Sequence, residues 1–345
     1  MTGPGAVAPY SGSAEAWDDL VRRTPGGTHF HRWGWKAVME RALGHEGIYL
    51  ATGEPGGAPR AVLPLVRVKS LLFGHYLVSM PFVNYGGPLG DPEGVQALVR
   101  EAVAMASRDG AKLLELRSRV ELPLDLPVSH RKITVVLDLP ARDPKVLWDA
   151  LPAKVRSQIR RPQKEGLTVR FGPDQLEPFY AVFAEHMRDL GTPVQSRRLF
   201  TEILAAFPKD AWFAGVYLGG KAVAGGCGFR WGDEFEITWA SSLRAFNRIA
   251  PNMLLYWGFL ERCVGEGVKL FNFGRCSPGS GTHKFKLQWG SRDEPLWWYQ
   301  RAREGRAAAT PSPDEGAYSW GPRIWRHLPL AVANAIGPAI VRGIP

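Results

Sequence analysis

Apolar positions along the chain fall into two stretches with the same order of predicted elements. In the first, a helical pattern around residues 33–43 precedes strand-like runs at 47–52, 60–68 and 76–83, separated by turn residues. A turn at Gly86, Gly87 and Gly90 leads into a helical pattern near 93–108, which Asp109-Gly110 ends, and KLLELRS at 112–118 reads as a strand. In the second, AWFAGVYL at 211–218 and AVAGGCGFRW at 222–231 flank a Gly-Gly-Lys hairpin, and EFEITWASS follows at 234–242 after Gly232-Asp233. A helix at about 251–266 and the strand VKLFNFG at 268–274 complete the repeat.

An antiparallel meander followed by a helix and one more strand is the central part of an acetyltransferase-type (GNAT) domain, an order that other α+β folds share. Its recurrence without strong residue-level repetition is what an ancient tandem duplication leaves. The expected architecture is therefore α+β with mixed sheets: a first GNAT-like domain at 1–140, a second at 141–303, and a remainder at 304–345. Pro140, Asp143 and Pro144 mark the boundary after the strand-like ITVVLDL at 133–139. The polar, Pro-containing segment Glu304 to Gly316 reads as a linker, and the C-terminal helix is expected to return to the first domain.

The length of 345 residues suits two domains, and 45% hydrophobic with 22% charged residues excludes wholesale disorder. A net charge of +10 favours anionic partners. Three widely spaced cysteines, Cys227, Cys263 and Cys276, form neither a disulfide framework nor a zinc knuckle, and no metal site is expected. The N-terminal stretch has no basic n-region with a long apolar h-region, so a cytoplasmic location is expected. Residues 328–341 are too short to span a bilayer. The tail from Trp320, which mixes aliphatic residues with Arg323, Arg326 and Arg342, suits either peripheral contact with the inner membrane face or packing on the protein.

Two segments concentrate candidate chemistry. Residues 154–170 hold Lys154, Arg156, Arg160, Arg161, Lys164 and Arg170 against one acid, Glu165. Leu151, Val155 and Ile159 give that helix an apolar stripe. Arg156 and Arg160 then share the opposite face, placed to bind phosphate oxygens of a phosphorylated ligand or RNA; a solvated face is the alternative. FNFGRCSPGSGTHKFKLQWG at 271–290 is a glycine-rich loop with Arg275, His283, Lys284 and Lys286 around it, the pattern of an anion- or carbonyl-binding loop. Asn84 and Tyr85, before Gly86-Gly87, are candidates to line a ligand cleft, and Lys36 a candidate contact to an acidic substrate. Phosphate-loop, HExxH and GxSxG motifs are absent.

KVRSQIRRPQKEGLTV at 154–169, APNMLLYW at 250–257 and FNFGRC…GTHKFKLQWG at 271–290, together with HFHRWGWK at 29–36 and LFGHYLVSMPFVNYGGPL at 72–89, resemble the Fem-type (FemAB-like) transferases of the GNAT superfamily. Within these the chain resembles the FemAB-like proteins associated with exosortase (PEP-CTERM) and exopolysaccharide systems. The resemblance covers roughly residues 15–300. It implies transfer of an aminoacyl or acyl group to an amine of a cell-envelope or exopolysaccharide-related substrate, with aminoacyl-tRNA or acyl-CoA as donor. On it, Lys36 lies near a substrate diphosphate, Lys154, Arg156 and Arg160 match the basic helix, and Phe285 and Lys286 match a Phe-Lys pair near the donor.

Such a reaction needs mainly placement of the amine and donors aimed at the developing oxyanion. Lys286 is the candidate for charge stabilisation; for the base, Glu234, Glu236, His283 and the substrate itself all stay open. RAFNRIAPN at 244–252 has no glycine where an acetyl-CoA domain carries its pyrophosphate loop, which favours aminoacyl-tRNA. Asn272 replaces the aspartate usual in the resembling family, and Cys276 a common serine. An acetyl-CoA-dependent N-acetyltransferase and a non-catalytic binder of RNA or anionic glycan are the alternatives.

Overall fold

The computed structural model describes residues 6–54, 56–70, 72–140, 142–303 and 320–344. In chain order the elements begin with β1 (Val7–Pro9), α1 (Ala14–Arg23), α2 (Gly34–Leu43), β2 (Glu46–Thr52), β3 (Ala61–Ser70) and β4 (Gly74–Ser79). β5 (Leu89–Gly90), α3 (Pro92–Arg108), β6 (Leu113–Ser118), β7 (Val128–Ser129), β8 (Ile133–Asp138), α4 (Pro144–Ala150) and α5 (Ala153–Lys164) follow. Next come β9 (Thr168–Phe171), α6 (Leu176–Leu190), α7 (Arg197–Ala206), β10 (Ala211–Leu218), β11 (Lys221–Trp231) and β12 (Glu234–Ser242). The chain ends with α8 (Pro251–Gly265), β13 (Leu270–Cys276), α9 (Gly281–Leu287), β14 (Arg292–Pro295), β15 (Trp297–Ala302), α10 (Trp320–Trp325) and α11 (Leu330–Val341).

Two compact units result, one from Met1–Lys132, Pro295–Thr310 and Arg342–Pro345, the other from Ile133–Glu294 and Pro311–Val341. In the first, strands run β1-β2-β3-β4-β6-β15-β7, with β5 beside β3. The meander β2-β3-β4 is antiparallel, and β6 lies parallel to β4. The intervening α3 starts well: the Asp91 side chain accepts from the Gly94 N–H, and Pro92 needs no donor in the first turn. Its buried face, Val95, Leu98, Val99 and Ala102, packs on Leu50, Leu63, Leu65, Leu77 and Leu114 of the sheet. Gly94 of α3 permits that closeness, because a Cβ there would sit 2.6 Å from Ala61 Cβ.

The second sheet runs β14-β8-β13-β12-β11-β10-β9. Again an antiparallel meander, β10-β11-β12, is followed by a helix, α8, and a parallel strand, β13. Leu255, Phe259 and Leu260 of α8 share a buried core with Phe235 and Phe271 of the sheet and with Val155 and Ile159 of α5. That double packing explains a helix whose sequence is apolar on nearly every side.

Three boundaries differ from the sequence-based expectation. The strand at 133–139, placed at the end of the first domain, hydrogen-bonds to β13 in the second sheet (Val136 opposite Asn272, Asp138 opposite Leu270). Conversely β15, placed in the second domain, pairs with β6 from Trp297–Ser118 to Ala302–Leu113. The reason is the same in both sheets: the parallel strand has an open edge whose backbone groups need a partner, and in each the partner comes from the far side of the expected boundary. The C-terminal helix, expected on the first domain, packs with α10 on α6 of the second unit. The expected strand at 76–83 also stops at Ser79, because Met80 (φ 52°) and Phe82 (φ 69°) turn left-handed. The linker at Glu304 to Gly316 lies outside the described residues.

A fragment cut at residue 140 should therefore not fold, since it loses β15 and keeps β8 without β13. Circular dichroism and thermal unfolding of residues 1–140 should show no cooperative transition; a native-like melt would contradict the exchanged strands.

Candidate functional site at the parting of two parallel strands

β12 and β13 pair only over Glu234–Glu236 and Leu270–Asn272, although the strands continue to Ser242 and Cys276. Each strand carries an irregularity just past that point. On β12, Ile237 and Trp239 oppose adjacent residues Gly228 and Cys227 of β11, so Thr238 is bulged out. On β13, the register against β8 shifts between Asn272 and Arg275, with Gly274 at φ +72°.

Asn272, fully buried, organises the fork. Its Oδ1 accepts from Thr134 Oγ1 (2.6 Å) and the Gly274 N–H (2.8 Å). Its Nδ2 donates to Glu234 Oε1 (2.8 Å) and, more weakly, Glu236 Oε2 (3.4 Å). From α9, the buried Lys286 ammonium donates to the Gly274 carbonyl (2.6 Å) and the Arg275 carbonyl (3.0 Å). Burial, helped by the Arg275 charge, lowers the Lys286 pKa to about 8 against the opposing pull of Cys276 and Glu236. The structure therefore gives Lys286 a clamping role at the bulge that its sequence context did not reveal.

α9 is itself anchored. Ser280 caps it by accepting from the His283 N–H (3.1 Å), and His283 Nδ1 accepts from the Gly279 N–H (2.9 Å). The other ring nitrogen then carries hydrogen and donates to the Asp293 carboxylate (2.9 Å). His283 is thus bonded at both nitrogens. Phe285 packs its ring against Tyr256 at 5.0 Å. Thr238 Oγ1, at the bulge, is buried with no hydrogen-bond partner.

The sequence-predicted residues separate into groups. Lys286, Phe285, Arg275, Glu234 and Glu236 all belong to the fork or to α9 packed on it. Lys154 and Arg160 lie exposed on α5. Arg156 does not join them as a phosphate ligand: its guanidinium donates to the Asp149 carbonyl (3.1 Å) and to the Leu151 carbonyl, capping the end of α4. The Arg160 guanidinium lies 5.2 Å from the Trp148 ring centroid, and Trp148 packs edge-on to Trp257 at 4.9 Å. In the first unit Lys36 is half-buried and paired with Glu40, whereas Asn84 and Tyr85 are buried, Tyr85 against Phe30 at 5.9 Å. These two are core side chains rather than the walls of an open cleft.

Sequence reasoning missed Thr238 and Trp148. A bulge is a register offset between two strands, invisible in either strand alone, and Trp148 sat in a stretch read only as a boundary. Thr134 was missed for the same reason as β8.

Residues 153–287 match the family described as an acetyltransferase (GNAT) domain. That assigns an acyltransferase domain to the second unit. Among solved structures, FemX matches with 15% identity over 85% of this chain and 97% of that one, at a TM-score of 0.63. The C-terminal domain of a putative lysylphosphatidylglycerol synthetase from Agrobacterium fabrum matches at 16% identity, covering 83% and 90% at a TM-score of 0.55. A tandem GNAT protein from the clavulanic acid biosynthesis pathway matches at 14% identity, covering 88% and 99% at 0.51. The curated proteins yield no match. The fold is accordingly the tandem GNAT-like one.

Two stability tests follow. Asn272→Asp replaces two donors by a third carboxylate beside Glu234 and Glu236. It should cost roughly 2–4 kcal/mol near neutral pH, the scale of orphaned buried hydrogen bonds and an unpaired buried charge. Like-charge crowding raises carboxylate pKa values, so the folded variant binds the extra proton and its deficit should shrink toward pH 5. A deficit independent of pH in chemical denaturation would exclude that electrostatic cause. For Lys286, whose folded pKa is below the ordinary 10.5, the unfolded chain holds the extra proton between the two values. Stability therefore rises with pH from about 8 upward. Lys286→Met should remove that rise, and denaturant titrations at several pH values in this window would show whether it does.

Proposed function

We propose that the second unit transfers an aminoacyl group to an amine of a cell-envelope or exopolysaccharide-related acceptor, the acyl carbonyl of the donor entering the fork between β12 and β13. The observation that carries this reading is the unpartnered Thr238 hydroxyl on a bulged strand, where parallel pairing has ceased beside Glu236, Asn272 and Lys286. Attack by the amine nitrogen forms the C–N bond. The ester C–O bond then breaks, and the ribose hydroxyl leaves with a proton as the amine loses one. Thr238 Oγ donates to the developing oxyanion, and Lys286 adds positive field through the clamped bulge. Glu236, buried at the last paired position of the fork, is the proton acceptor in this reading.

The donor choice rests on the approach to α8. Arg244–Ile249 form a 3-10 helix without glycine, and Ala250 turns into α8 at φ 50° without a side-chain cap. A glycine loop wrapping a pyrophosphate is replaced by side chains, with Arg244 and Arg248 exposed. On α5, Lys154, Arg160, Arg161 and Lys164 are exposed and make no ion pair among the described residues, and they suit a polyanionic donor such as tRNA. The acceptor class is supported by the likeness to FemX and to the lysylphosphatidylglycerol synthetase domain, with exosortase-linked glycans the narrower expectation.

Purified protein offered charged tRNA and acetyl-CoA separately should bind and consume the former. Thr238→Val, nearly isosteric, should lower kcat/KM about 100-fold, the loss seen for one oxyanion donor, with stability retained. Tight acetyl-CoA binding with acetyl transfer and no tRNA affinity would overturn the donor assignment. Salt-sensitive RNA or glycan binding without turnover would instead make the protein a non-catalytic binder.

A further inference from the structure

Among the described residues, no helix is long and apolar enough to cross a membrane, but α11 has an unusual exterior. Its inner stripe is Ala333, Gly337 and Val341, all buried on the side that meets α6. Gly337 lies so close to residue 194 that an added Cβ would be 3.1 Å from the Val194 nitrogen, so the docking face is fixed by small side chains. At 100° per residue the exposed positions Ala331, Val332, Ala335, Ile336 and Ala339 cover an arc of about 140° on the other side. Val332 and Ile336 are 42% and 43% exposed.

A surface helix of a water-soluble domain ordinarily carries charge on such an arc, and α11 carries none along its 12 residues. Charge sits at its ends instead: exposed Arg323 and Arg326 precede it and exposed Arg342 follows it, with no acidic residue from 320 to 345. Ile324 and Ile344, near those arginines in sequence, are exposed as well. Four of the nine large apolar side chains exposed among the described residues thus fall in this short tail.

We infer that the outer face of α11 docks on an anionic lipid bilayer, the helix lying in the interface with its aliphatic arc among the acyl chains and its terminal arginines at the headgroup phosphates. Charge complementarity selects this occupant. A second protein copy would bring the same positive ends against themselves, whereas an anionic surface attracts the arginines that flank the helix. The inference is independent of which group the second unit transfers.

Flotation of the full chain with vesicles of phosphatidylglycerol and phosphatidylcholine tests it. Binding should appear with phosphatidylglycerol present, fall at least 10-fold on pure phosphatidylcholine, and weaken as salt rises from about 0.1 to about 0.5 M, a range over which screening of headgroup charge becomes strong. Val332→Glu with Ile336→Glu should abolish binding, Val332→Ser with Ile336→Ser should reduce it, and both should melt like the parent because these side chains face outward. Equal flotation on neutral vesicles, or binding unchanged in the double variants, would overturn the inference. So would a concentration-dependent dimer in sedimentation equilibrium that Ile336→Glu dissolves, which would give the face to a second copy.

Discussion

The second unit depends on how a parallel strand pair is allowed to stop pairing. Past Glu236 and Asn272 the facing edges of β12 and β13 lose their ladder partners inside a protein, where each orphaned backbone group costs about as much as a lost hydrogen bond. Asn272 and Lys286 meet that demand from two directions, one taking the Gly274 N–H and the other the Gly274 and Arg275 carbonyls. A buried ammonium is itself expensive, and its lowered pKa records the expense. Two carbonyls at hydrogen-bond distance and the nearby Glu236 make its burial tolerable. The fork is thus held open by groups whose removal would orphan several others at once.

That arrangement explains what could be read from the chain and what could not. Strands 211–218 and 234–242 were legible to the residue, because alternation and turn residues bracket them and because their neighbours in the sheet are their neighbours in sequence. Of the exchanged strands, β8 was legible as a strand but not as a member of its sheet, and β15 was not read as a strand, since nothing in ITVVLD or WWYQRA says which open edge will accept it. The site divides along the same line. Lys286 and Glu236 could be nominated from their residue types, and Phe285 from the family resemblance. The duties of Lys286 and Asn272 are defined by a bulge against β8, and the opportunity at Thr238 by a register offset against β11, both long-range facts.

The basic helix shows how local charge misleads when geometry is missing. Arg156 and Arg160 fall one turn apart and were paired as phosphate ligands, yet Arg156 lies within reach of the free carbonyls at the end of α4 and satisfies them. Leu151 and Asp149, which supply those carbonyls, belong to a helix whose position could not be read from the basic run. Arg160 stays exposed but stacks on Trp148, which adds a planar, apolar element to a surface that charge alone described as purely ionic.

Comparison of the two units shows what their shared topology leaves free to vary. In the first, β4 and β6 part in the same manner after Val78 and Glu115, but the parting is filled by the chain itself. The Gly86 and Gly87 N–H groups donate to the Arg117 carbonyl, Ser79 Oγ accepts from the Arg117 N–H, and the guanidinium reaches Glu115 (2.7 Å) and the Val83 carbonyl (3.2 Å). Gln300 closes the set by donating to the other Glu115 oxygen at 2.6 Å. A buried ion pair of this kind contributes little net stability, but losing either partner leaves a buried charge uncompensated, so it fixes the filled state firmly. Two left-handed residues, Met80 and Phe82, bend the filling segment into place at a conformational cost that the surrounding packing must hold. The same topology therefore yields one fork sealed by the loop after β4 together with the buried charges of β6, and another in which a bulge within β12 keeps a hydroxyl without a partner.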